Sequence, residues 1–65
     1  MQLIINGQQR SVKQALTVSQ LLQQLNLAPE RVVVELNKNI LTAEAYATLL
    51  EDGDALELIQ FVGGG

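Results

Sequence analysis

The 65 residues include no cysteine, no histidine and no tryptophan. Without cysteine there can be no disulfide, no thiolate metal ligand and no thiol nucleophile. Without histidine, the usual general base at neutral pH and the commonest metal ligand are also missing. Carboxylates alone could hold a hard cation, but the acids here do not fall at EF-hand spacing. Positive charge is scarce. Arg10, Lys13, Arg31 and Lys38 are the only basic residues, spread along a chain of net charge −3. That is a poor electrostatic footprint for nucleic acid or an anionic membrane. No apolar run approaches the ~20 residues that span a bilayer, and no basic stretch leads into an apolar one at the start. These absences point to a cytoplasmic protein with no nucleic-acid and no membrane partner.

Apolar residues, by contrast, are plentiful. They make up 48% of the chain, and the mean hydropathy is +0.19. A packed core is therefore expected rather than disorder. The length allows one domain, which buries only roughly 60% of the surface its unfolded chain exposes. The opening "MQLII" is a short run of β-formers, and Asn6-Gly7 follows it as a hairpin signal, because both residues tolerate the positive φ of a type I′ turn. "QQRSVK" then reads as a half-exposed return strand. In "LTVSQLLQQLN", Thr17 and Gln20 form a capping box, and Leu16 and Leu21 are placed for a hydrophobic staple. Val18, Leu21, Leu22 and Leu25 make one apolar stripe, predicting a helix of three turns. It should stop near Asn26, since Pro29 pushes Ala28 out of the α region. "RVVVEL" is a buried strand, "NKN" a turn, and "IL" the start of a short partner strand. Thr42 could cap up to two turns of helix in "AEAYATLL". "EDGD" is a turn around Gly53, and "ALELIQFV" is a last strand of period two.

One helix cannot cover both faces of such a sheet. The expected architecture is α+β, a β-grasp. It has a mixed sheet of four to five strands, one main helix on one face, and the last strand parallel to the first in the middle. Residues 1–62 form this domain, and residues 63–65 a flexible glycine tail.

An independent enzyme finds little support. The "EDGD" acids suit turn hydrogen bonding, the serines and threonines have no base to activate them, and no phosphate-binding glycine loop precedes a helix. The tail is more informative. With average glycine usage at roughly 7%, three in a row at a fixed place arise by chance about once in a few thousand chains. A flexible end is the plain reading. Functionally, a strand without Cβ atoms can thread a narrow channel and present its carboxylate inside another protein. A free carboxylate is an acyl donor once activated, for example by transfer to AMP. With no nucleophile or base in the chain, the catalyst must be a partner. The protein reads as a substrate whose reactive group is its own terminus.

"LLEDGDALELIQFVGGG" resembles the C-terminal part of the ThiS family, the sulfur carriers of thiamine biosynthesis. "VVVELNKNIL" resembles that family's middle strand and turn, and "MQLIING" its opening hairpin. A DGD turn, an alternating strand and a Gly-Gly end recur in related carriers, including the small subunit of molybdopterin synthase. One departure stands out: Lys38 follows Asn37 where many members of the family place glycine.

The resemblance implies a ubiquitin-like carrier that itself binds no cofactor. A ThiF-type adenylating enzyme would activate the carboxylate of Gly65 with ATP and magnesium. Sulfur from a cysteine desulfurase persulfide would replace AMP, giving a thiocarboxylate. A ThiG-type thiazole synthase would accept the sulfur. Gly63 and Gly64 would thread into the partner's active site. If Leu56 and Leu58 face the helix, Ile59 and Phe61 lie exposed beside the tail with Val62, and Val33 projects to the same side. Those four residues are the candidate docking patch. The alternatives are a carrier for molybdopterin or tRNA thiolation, and a non-catalytic β-grasp binding module with an inert tail.

Overall fold

The computed structural model describes residues 1–61. The chain opens with the hairpin β1 (Gln2–Ile5) and β2 (Gln8–Ser11). Helix α1 (Val18–Gln24) follows, then a 3₁₀ turn (Pro29–Arg31). A second hairpin is built from β3 (Val32–Leu36) and β4 (Asn39–Leu41). A second 3₁₀ segment (Ala43–Ala47) leads to β5 (Ala55–Gln60). The five strands form one mixed sheet in the order β2-β1-β5-β3-β4. β5 runs parallel to β1 and antiparallel to β3. This is the expected β-grasp, with the last strand at the centre.

Both hairpins close through two-residue turns of the same kind. Ile5 pairs with Gln8 around Asn6 (φ 50°) and Gly7 (φ 80°), and Leu36 pairs with Asn39 around Asn37 (φ 50°) and Lys38 (φ 72°). Positive φ at both central positions is what the type I′ turn requires, and it matches the right-handed twist of the flanking strands. Lys38 therefore occupies a conformation that usually takes glycine, and the turn keeps its form despite the departure from the family pattern.

The two leading asparagines have a second task. Asn6 accepts from the Leu58 amide through Oδ1 at 2.7 Å and donates to the Leu58 carbonyl through Nδ2 at 3.3 Å. Asn37 accepts from the Ala55 amide through Oδ1 at 3.0 Å and donates through Nδ2 to Asp54 at 3.0 Å. Side-chain amides thus extend the backbone ladder on both sides of β5.

Helix α1 begins as the sequence predicts. The Thr17 hydroxyl accepts from the Gln20 amide at 3.1 Å, and the Gln20 side chain accepts from the Thr17 amide at 2.9 Å. Its length differs, since seven residues make two turns rather than three. The stop is set by Asn26, which adopts φ 58°, while the Leu27 amide bonds the Leu22 carbonyl at 2.9 Å and the Asn26 amide bonds Gln23 at 3.1 Å. This is a Schellman ending with asparagine in the left-handed position. Pro29 acts downstream, holding Ala28 extended (φ −77°, ψ 125°).

The segment after Thr42 also departs from expectation. It is a 3₁₀ helix of five residues, and the Thr42 side chain makes no capping bond to its backbone. Tyr46 explains the tight winding in part. Its ring packs on the core and its hydroxyl reaches the Val32 carbonyl at 3.4 Å, which draws the short segment against the sheet.

The core lies between α1 and one face of the sheet. Leu3, Ile5, Val32, Val34, Leu56 and Leu58 come from the strands, and Val18, Leu21 and Leu22 from the helix. Leu16 and Leu50 close its end, where the Leu50 amide bonds the Leu16 carbonyl at 2.8 Å. Each such side chain contributes roughly 1.5–3 kcal/mol by leaving water. Among the described residues no helix is long and apolar enough to cross a membrane.

Candidate functional site: the open face of the sheet

Strand periodicity decides what the uncovered face carries. Because Leu56 and Leu58 turn inward, Ala55, Glu57 and Ile59 turn outward. Register brings in the neighbours. Val33 sits opposite Ile59 and Glu35 opposite Glu57 on β3, Ile40 sits opposite Glu35 on β4, and Ile4 pairs with Ala55 on β1. Directly opposed residues of an antiparallel pair share a face, with Cβ atoms about 5 Å apart. Val33 and Ile59 are therefore in one patch, Val33 half-buried and Ile59 54% exposed. Phe61 continues the outward phase of β5 at 60% exposure. Its amide bonds the Arg31 carbonyl at 2.8 Å, so the ladder holds the backbone one residue past the strand.

Sequence reasoning thus located Ile59, Phe61 and Val33 on the face away from the helix, and the structure brings these three together. Val62, Gly63, Gly64 and Gly65 lie outside the described residues. Two residues of the same face were missed. Ile4 is 41% exposed and Ile40 70% exposed. The signal for Ile4 was present, since it alternates with buried Leu3 and Ile5. Ile40 required the register of a three-residue strand.

The patch has an acidic side. Glu35 and Glu57 face each other across β3 and β5. Like charges in that position weaken a sheet. A shallow groove of about 220 Å³ runs beside them, bounded by Ile4, Gly7, Lys38 and Ala55. A larger depression among the described residues, about 390 Å³, lies elsewhere, between the end of β2 and α1, and is lined by Ser11, Lys13 and Gln24 among others. The apolar set therefore sits on an open sheet face, a shape that suits a protein surface rather than an enclosed small molecule.

Two acids of the "EDGD" turn, Asp52 and Asp54, do structural work, as turn chemistry predicts. Asp52 accepts from the Gln2 amide at 2.6 Å, and Asp54 accepts from the Glu51 amide at 2.8 Å and from Asn37. Gly53 takes φ 89° at the bend. Tyr46 belongs to the packing and not to the open face. Glu44, fully exposed, has its carboxyl held below the usual range, first by the Thr42 hydroxyl and then by its own backbone amide.

Known proteins agree with this geometry. The model of the ThiS family matches residues 3–65. The crystal structure of the thiamine biosynthesis protein ThiS from Geobacter metallireducens superposes with a TM-score of 0.82 at 42% identity, covering all of both chains. The sulfur carrier protein ThiS of Bacillus subtilis is 42% identical over 50 residues, 75% of this chain and 76% of that protein. A thiazole synthase of Paramagnetospirillum magneticum is 41% identical over 66 aligned residues, taking in 100% of this chain but 20% of that protein. A thiazole synthase of Magnetococcus marinus is similar in the same way, at 36% identity. The chain spans about a fifth of the length of these two synthases.

Proposed function

The chain belongs to the ThiS family, the sulfur carriers of thiamine biosynthesis, and from that premise we propose that it carries sulfur on the carboxylate of Gly65. In this reading a ThiF-type enzyme attaches AMP to the carboxylate, consuming ATP with magnesium. Adenylation turns a poor electrophile into a good one by supplying a leaving group. Sulfur drawn from a cysteine desulfurase persulfide then displaces AMP. The resulting thiocarboxylate donates its sulfur to a thiazole synthase as the thiazole ring is built. Metal and oxyanion stabilisation come from the partners. The carrier is a substrate protein and not a catalyst, and the cytoplasm is its compartment.

The observation that carries this reading is the family match running through the three glycines, which follow the central strand β5 in sequence after Phe61 and Val62. Further support comes from the two thiazole synthases, each of which contains a segment similar to the whole of this chain. Gly63 and Gly64 serve as the thread that reaches the activating site, because glycine adds no side chain to a narrow passage. Val33, Ile59, Phe61 and Val62 dock the carrier on its partners. Ile59 and Phe61 offer apolar area at no cost to the core, since both already face water.

Intact mass tests the proposal. The protein is incubated with a ThiF-type enzyme, ATP, magnesium and a sulfide or persulfide source. The expected gain equals the exchange of one oxygen for sulfur, and deletion of Gly65 abolishes it. No gain, with the enzyme proven active on another carrier, would leave a binding module or a carrier for a different activator.

A further inference from the structure

Asn6 combines two features that the carrier reading does not use. It stands before Gly7, and its carboxamide is clamped to β5. An asparagine followed by glycine is chemically exposed, because glycine leaves the next amide nitrogen unhindered. Nothing lies within 4 Å of where a Cβ of Gly7 would be, so the surroundings add no shield. Protection then rests on how the fold holds Asn6 itself, and the bonds of its side chain to Leu58 are the direct restraint on its carboxamide.

We propose that Asn6 is a latent deamidation site, guarded by its bonds to Leu58 and released only when the first hairpin separates from β5. In the reaction the Gly7 amide nitrogen attacks the Asn6 Cγ. The carboxamide nitrogen departs as ammonia, taking the proton of the attacking amide, and a five-membered succinimide closes. Water then opens either carbonyl of the ring, giving aspartate or isoaspartate. No oxidant, reductant or cofactor is needed. The attack requires Cγ to turn toward Gly7, which Oδ1 and Nδ2 cannot allow while they hold the Leu58 amide and carbonyl.

The product would not restore the clamp. An aspartate still accepts from the Leu58 amide, but it has no donor for the Leu58 carbonyl and places negative charge beside that oxygen. The loss falls at a thin place in the sheet. β1 and β5 share only the partners Ile4 with Ala55 and Ile5 with Leu56, and the Asn6 side chain extends that contact to Leu58. Leu58 lies three residues before Phe61, so the damaged segment is the one that leads to the docking patch.

The test follows the whole 65-residue chain at pH 8 and 37 °C, once in buffer and once in urea, with the modified residue located by peptide mass mapping. Conversion at Asn6 is expected to be at least about tenfold faster in urea, since protected groups react through local opening. Asn6→Asp is expected to lower Tm by about 4 °C or more. Equal rates in buffer and urea would overturn the guarding role, as would no conversion in urea. A variant as stable as the parent would overturn the consequence for the sheet.

Discussion

Phe61 shows how much one side chain can be asked to do. It is 60% exposed and comes after the last strand pair, so its ring adds little to the fold. An aromatic at the centre of an interface, in contrast, can supply more than 1 kcal/mol of binding. Phe61→Ala is therefore expected to weaken binding to the adenylating enzyme about tenfold or more while lowering stability by under ~1 kcal/mol. Calorimetric titration and thermal melting of the same sample read the two effects separately. Unchanged affinity would remove Phe61 from the docking surface. Val33 is a poorer probe, because it is half-buried against β5 and its loss would disturb the sheet as well.

Among the elements, the β3–β4 turn carries the clearest conflict between residue and conformation. Lys38 sits at φ 72°. The left-handed region costs a residue with a Cβ roughly 1–2 kcal/mol. Glycine avoids that strain but gives the unfolded chain extra freedom, worth about 0.4–1 kcal/mol in the other direction. The strain term wins, so Lys38→Gly should stabilise by about 0.5–1 kcal/mol, visible as a higher denaturant midpoint at constant slope. A lower midpoint would mean that Lys38 makes a contact worth more than its strain. The same turn illustrates which elements were legible in advance. Local chemistry announced Asn6-Gly7, the Thr17–Gln20 capping box and the alternation of Leu56 and Leu58, because each is decided by residues within one turn or one strand. The winding of Ala43–Ala47 was not legible, since it depends on Tyr46 meeting β3. Asn26 was legible as a boundary but not as the cause of it. On the open face, Ile59 and Phe61 followed from the phase of β5, whereas Ile40 depended on the register of β4, a strand too short to show its own alternation.

Across the whole molecule, a small core leaves little reserve. At ~0.05–0.15 kcal/mol per residue, a chain of this length has roughly 3–10 kcal/mol of stability. Leu22 is fully buried on the inward face of α1, and truncating a buried leucine costs about 2–5 kcal/mol. Leu22→Ala should therefore lower Tm by at least ~10 °C and leave part of the population unfolded at 37 °C, as circular dichroism would record. A fall of only a few degrees would show that the helix can close over the gap. The strand order has a further consequence. β1 and β3 never touch as partners, and β5 alone joins them. A chain emerging from the ribosome can form each hairpin as it appears, and Leu16 can already meet Leu50, yet the two hairpins cannot be joined into one sheet until residues 55–60 have been made. The sheet is completed from its rims inward, and its final act of assembly is to seat the very strand that holds Ile59 and leads into the glycines.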